Sequence, residues 1–186
     1  MSNARRMVLS LVVLLLVSAG LARTAEIIPP KDRIKTDRPR LLIRPAETPY
    51  AVSLDKLRSE TGHPEYAAML DKLKTTHNAA CQALVWQMTG DSTAADSAVA
   101  MLKRYSYTTD PQRDTFDVFY PLLEYALAYD WVHDYPGFST LARGLARYHL
   151  NQLARNDGLK WSGDHIFHNY IWMSASGVAL WALAVA

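Results

Sequence analysis

Cysteine is almost missing from this chain of 186 residues, where Cys81 stands alone. That excludes an internal disulfide framework and any Cys-rich zinc module. An excess of charge is missing too: 20 Lys and Arg face 18 Asp and Glu, for a formal net charge of +2. Binding of nucleic acid through the overall field is thereby excluded. Low-complexity and collagen-like tracts are also absent. With 8 Gly, 9 Pro, 49% hydrophobic and 20% charged residues, the composition is globular, and the length fits one domain.

No apolar run reaches the roughly 20 residues of a membrane span. The longest, Met7 to Ala22, has 16 residues, follows Arg5 and Arg6 and ends in Gly20-Leu21-Ala22. A basic start, a short apolar core and a small-x-small end describe a signal peptide over 1–22 with cleavage after Ala22; an uncleaved anchor is the rival reading. No cysteine directly follows the run, which excludes a lipoprotein anchor. Removing 1–22 takes away two arginines and no acids, leaving 18 basic and 18 acidic residues in 23–186. A neutral secreted or periplasmic protein, free of the membrane after signal cleavage, holds a polyanion only through local groups.

Residues 23–64 are Pro-rich and irregular, with Leu41-Leu42-Ile43 as one extended piece between Pro39 and Pro45. From Glu65 onward, apolar residues recur at three and four. The spacing predicts helices over 65–89, 92–105, 115–133, 138–155 and from Asn169 to the end. Gly90-Asp91 closes the first pair into an antiparallel hairpin. Pro121 is awkward inside the third helix and predicts a kink or a later start. Asn156-Asp157-Gly158 reads as a turn. Hairpins every 45–55 residues predict an all-α fold, an incomplete (α/α) toroid of antiparallel hairpins over 65–186 truncated at the C-terminus. The apolar end Leu180–Ala186 favours this over a complete small helical domain.

Three stretches resemble a known family. Asp37-Arg38-Pro39-Arg40-Leu41-Leu42-Ile43 is similar to the opening of secreted heparinase II/III-like polysaccharide lyases. Leu84-Val85-Trp86-Gln87-Met88-Thr89-Gly90-Asp91 resembles their first hairpin. Ala126 to Val132 (Ala-Leu-Ala-Tyr-Asp-Trp-Val) and His168-Asn169-Tyr170 resemble the next two repeats. The resemblance covers about 35–186. It implies a toroid followed by a β-sandwich, both completed by a missing C-terminal part of the same chain, and β-elimination on uronic-acid-containing polysaccharide. It implies no cofactor. By this resemblance Asn169 faces the uronate carboxylate and His168 is its companion as donor, acid or base, while the family's catalytic Tyr and a further His lie beyond Ala186. The fragment alone is then expected to be inactive.

The chemistry needs such groups. The C5 proton is abstracted only when donors neutralise the adjacent carboxylate, and an acid must protonate the departing O4. Polar side chains concentrate at Trp161, Asp164, His165, His168, Asn169 and Tyr170. Trp161, His165 and Tyr170 are the candidate substrate-binding residues, Trp161 as a sugar-stacking ring. Asn169 equally suits a helix cap, and His168 a packed loop. No metal is expected: His77 and Cys81, or His165 and His168, have ligand spacing but no third ligand. Asp130 suits a general acid in a toroid glycoside hydrolase, or an ion pair or cap between helices. A non-catalytic module binding glycan or protein is the remaining alternative. Trp86, Trp131, Trp172 and Trp181 read as core, Ser174 to Gly177 as a close helix contact, Cys81 as buried and inert, and Arg143, Arg147, His149 and Arg155 as a charged helix face.

Overall fold

The computed structural model describes residues 37–48, 52–110, 115–158 and 169–186. The leader 1–22 and residues 161–168 lie outside the described residues. What is described is mostly helical. Two residue pairs form a small parallel sheet, β1 (Ile43–Arg44) beside β2 (Val52–Ser53), with Ile43 opposite Val52. Helices follow as α1 (Leu54–Ser59), α2 (Pro64–Thr75), α3 (Ala79–Thr89), α4 (Ser92–Arg104), α5 (Thr115–Trp131), α6 (Thr140–Leu153) and α7 (Asn169–Val185). Among the described residues no helix is long and apolar enough to cross a membrane.

Three expectations are corrected. The helix expected over 65–89 is two helices, because Thr76 and Asn78 are extended and Asn78 starts α3 afresh. The Asn78 side chain accepts from the Cys81 N–H at 3.0 Å, and Glu124 of α5 accepts from the Ala79 N–H at 2.8 Å. These bonds satisfy amides that a helix start leaves orphaned. The Pro-rich segment also carries a helix: Ser53 caps α1 through the Lys56 N–H, and Asp55 lies in its first turn. Leu41-Leu42-Ile43 is extended only from Ile43, where β1 begins, and bends at Leu42. Leu42 has φ of 61°, and the Ile43 N–H returns to the Leu41 carbonyl at 2.6 Å, so Leu41 and Ile43 are buried while Leu42 faces solvent.

Pro121 sits inside α5 without ending it. The expected turn at Asn156-Asp157-Gly158 is a π-helical turn, Ala154–Gly158, running on from α6. Gly90 takes φ of 76°, a left-handed conformation that glycine adopts without steric cost, and Asp91 caps α4 through the Thr93 N–H at 2.9 Å. α3 and α4 therefore pack as a hairpin across two residues.

Packing sets the helices in two layers. The α5–α7 interface is the most extensive, and α5 also packs on α3. Their contacts fix direction. A Cβ on Gly177 would lie 3.2 Å from the Leu122 Cβ, and one Arg38 nitrogen bonds both Asp130 and the Ala184 carbonyl, each at 2.7 Å. Mid-helix meets mid-helix and end meets end, so α5 and α7 run parallel, about 55 residues apart in the chain. On the other side Ala79 meets Glu124 and the Gln87 side chain donates to the Trp131 carbonyl, separations of 45 and 44 residues. α3 is therefore parallel to α5 as well. The return helices α4 and α6 touch each other behind this layer. Each buries one stripe, Ala95, Ala98, Val99 and Leu102 in α4 and Ala142, Ala146, Leu150 and Leu153 in α6, as amphipathic outer helices do. Tyr129 lies edge-on to both Phe138 and Trp181, and the Trp181 indole N–H donates to Asn151 at 2.8 Å.

Candidate functional site

Parallel helices in one layer put all their N-termini at one end and all their C-termini at the other. The C-terminal end is closed by the strap 37–44. Asp130, in the last turn of α5, is 1% exposed. One carboxylate oxygen accepts from Arg38 at 2.7 Å, the other from the backbone N–H groups of Arg40 and Leu41 at 2.6 and 2.9 Å. Arg40 donates to the Leu183 carbonyl at 3.2 Å, and the Trp131 indole N–H donates to the Leu41 carbonyl at 2.8 Å. The arginines thus meet carbonyls that the end of α7 leaves without helical partners, where the helix dipole is negative. Burial pulls the Arg38 guanidinium below its ordinary value, and the Asp130 carboxylate opposes that pull.

This geometry decides between the two roles open to Asp130. A general acid needs room for substrate and a proton to give, whereas this carboxylate is sealed from water and accepts from three donors. Asp130 serves here as the ion-pair partner of Arg38 and the anchor of the strap. A cleft of about 80 Å³ beside it is lined by Arg38, Pro39, Leu54, Gln87, Asp130, Trp131 and Asp134. That is too small for a sugar ring, since ligand pockets run from about 300 Å³ upward.

Three of the stretches singled out in the sequence meet at this closed end. Arg38, Arg40 and Leu41 come from the first, Gln87 from the second, and Asp130 with Trp131 from the third. Trp86 lies edge-on to Tyr135 at 5.6 Å, and Tyr135 donates to Asp96 at 2.7 Å, which ties the α5–α6 connection to the first hairpin.

The opposite end carries the beginnings of α3, α5 and α7 and the two longest connections within the helical region, roughly ten residues each, before α5 and before α7. Asn169 is the first residue of α7 and Tyr170 the second. Trp161, Asp164, His165 and His168 lie outside the described residues, as do the side chains of Asn169, Tyr170, Trp172 and Ser174. Trp131 and Trp181 are core and Trp86 is half-buried. The close contact expected at Ser174–Gly177 is made by Gly177, against Leu122 and Phe119.

Among the described residues no cluster of His, Cys, Asp or Glu holds metal geometry. His77 is exposed in the break before α3, so it does not share a helical face with Cys81. Cys81 is half-buried rather than buried; burial pushes its thiol up and Glu124 adds to that. A thiol held in its protonated form is a poor nucleophile. On α6, Arg143 donates to the His133 carbonyl at 2.9 Å and His149 accepts from the Tyr107 N–H at 3.2 Å, so only Arg147 and Arg155 remain as exposed basic groups of that expected face. Sequence reasoning missed the Arg38 and Arg40 contacts with α7, for which no local signal exists.

No family model matches the chain, and neither does a curated protein or a solved structure.

Proposed function

We propose that this chain is part of the helical toroid of a secreted heparinase II/III-like polysaccharide lyase, cleaving uronic-acid-containing glycan by β-elimination. The observation that carries the reading is the meeting of the family-like stretches. Residues near 40, 87 and 130, picked out separately by resemblance, bond to one another at one end of a layer of parallel helices. The parallel layer with amphipathic return helices is what a toroid's inner and outer rings require.

The opposite end is where the chemistry belongs. Three parallel helix N-termini place positive partial charge there, which favours an anion such as a uronate carboxylate. Asn169 opens α7 at that end. In this reading its amide donates to the carboxylate and lowers the barrier to removing the C5 proton. His168 stands beside it as a second donor or as the acid or base. Tyr170, Trp161 and His165 bind the sugar. Protonation of the departing O4 completes the elimination and leaves a double bond in the product.

The test is ultraviolet absorbance of that unsaturated product, with the longest form of the protein incubated with acidic glycans. Asn169→Ala is expected to lower turnover by about 10²–10³, the usual effect of removing one donor to a developing oxyanion, while the melting point stays near that of wild type. Wild-type turnover in that variant removes the assignment of Asn169. Shortened glycan without a new double bond replaces elimination by hydrolysis.

A further inference from the structure

Gly144 has no role within the fold described above. It sits inside α6 and is exposed, where glycine lowers helix stability more than any residue except proline. No turn or left-handed backbone needs it, and among the described residues a Cβ placed there meets nothing within 4 Å. The core contacts of α6 are made on its other side, by Ala142, Ala146, Leu150 and Leu153. A glycine in open space on a helix surface suits the close approach of another backbone from outside, since the side chains at a crossing set how near two helices come.

Apolar side chains surround this glycine. Leu141, Leu145 and Tyr148 are 84%, 42% and 59% exposed. They stand at i, i+4 and i+7, the spacing through which helices are recognised. Gly144 lies three residues after Leu141 and four before Tyr148, so it shares their face. Tyr148 is braced edge-on against His149 with centroids 5.2 Å apart, and His149 accepts from the Tyr107 N–H at 3.2 Å. The outward face of α6 is therefore an apolar ridge with a notch at Gly144.

Charge decides the occupant. α6 contains Arg143, Arg147 and His149 and no acid. Arg147, three residues from Gly144, is exposed, and so is Arg155, seven past Tyr148. The exposed Lys103 and Arg104 stand three and four residues before Tyr107, where the chain after α4 meets α6. Against these four cations the nearest acids in sequence are two, Asp110 and Asp157, and both already have partners. A second copy would set arginine against arginine, with no acid on either α6. A bilayer surface takes up a broad apolar face, whereas the outward face of α6 is a single ridge. A helix with apolar side chains at the matching spacing and carboxylates along its edges fits both the notch and the charge. We propose that Leu141, Gly144, Leu145 and Tyr148 dock an acidic amphipathic helix of a partner protein, which crosses α6 at Gly144. This surface belongs to the return layer and does not depend on the lyase reading.

The experiment is fluorescence anisotropy of labelled, stapled helical peptides titrated with the full chain at low salt. One peptide carries leucines at i, i+4 and i+7 with glutamates along both edges; its control carries lysines in place of the glutamates. The glutamate peptide is expected to bind about tenfold more tightly than the control, through charge complementarity. Leu141→Ala combined with Tyr148→Ala should weaken it about tenfold, with a melting point near wild type because both side chains are exposed. Gly144→Gln separates docking from folding. It should raise the melting point, since glutamine favours a helix over glycine, and still weaken the peptide about tenfold by filling the notch. If neither peptide binds, if both bind alike, or if Gly144→Gln binds as tightly as wild type, the docking face is overturned. Binding to phosphatidylglycerol vesicles but to neither peptide assigns the ridge to a membrane surface. A wild-type dimer that Gly144→Gln makes monomeric assigns it to a second copy. Either result also overturns the proposal.

Discussion

The two ends of the α3–α5–α7 layer are built on opposite plans. At the C-terminal end a strap lies across the helices, a carboxylate and a guanidinium are buried together, and helix carbonyls are met by arginines. At the N-terminal end the connections are long and aromatic rings face solvent. The difference teaches how to weigh polar residues in a helical array. Asp130 has the character of a catalytic acid, yet it stands at the negative end of α5, where an acid is unfavourable unless paired. It is tolerated because two backbone N–H groups and Arg38 hold it. The anion-friendly end is the other one, with three helix beginnings and no strap among the described residues.

Removing the anchor should have the largest effect. Asp130→Ala leaves Arg38 buried without its partner and two strap amides without an acceptor. The expected loss is about 3–5 kcal/mol of folding stability, the range for breaking a buried pair from one side, read by urea denaturation. The closed end would also become the more mobile one, with faster hydrogen exchange at the Arg40 and Leu41 amides. A loss below about 1 kcal/mol, in the range of a surface pair, would mean that the strap is an ornament and that the two ends do not differ in kind.

A smaller effect is expected midway between the ends. Gly177 leaves little room for a side chain, since a Cβ there would lie 3.2 Å from Leu122 and 3.5 Å from Phe119. Gly177→Leu should cost about 1–3 kcal/mol or more through overpacking, whereas Ala175→Leu on the exposed face of α7 should stay within about 0.5 kcal/mol. Equal melting points for the two variants would contradict the parallel α5–α7 register, and with it the placement of Asn169 beside the first turn of α5.

Much of this fold is legible in the sequence because the signals are local. Gly90 and Asp91 announce a hairpin through a left-handed residue and a cap, and the stripes of α4 and α6 announce helices with one buried side. What escaped depends on distant partners. The break at Thr76–Asn78 interrupts an apolar spacing that continues unbroken on paper, and it is stabilised by Glu124, 45 residues away. The turn at Leu42 follows from Asp130 taking the Arg40 and Leu41 amides, about 90 residues away. α1 was legible and missed, since Ser53 and Asp55 are ordinary start signals hidden among prolines. For the candidate site, the role of Asp130 needed the strap's position, while Asn169, expected from its motif, falls at a helix start.

The smallest expected effect concerns acid. His133 follows α5 at the closed end, its Nδ1 lying 2.6 Å from the Asp134 carboxylate. Burial lowers its pKa below the ordinary 6.5; the Asp134 hydrogen bond opposes this, and Arg38 and Arg143 add to the lowering. The unfolded chain then binds more protons than the folded one between the two values, so stability rises with pH across that window. The contribution is fully present above about 6.5 and fades as pH falls through the folded value. His133→Gln should remove this part of the pH dependence, seen as a smaller difference in urea midpoint between about pH 7 and pH 5 than wild type shows. A wild-type midpoint that instead rises on acidification, with a flat variant, would mean that the pair with Asp134 outweighs burial. The closed end would then be tightened by acid through Asp134 rather than loosened by the burial of the imidazole.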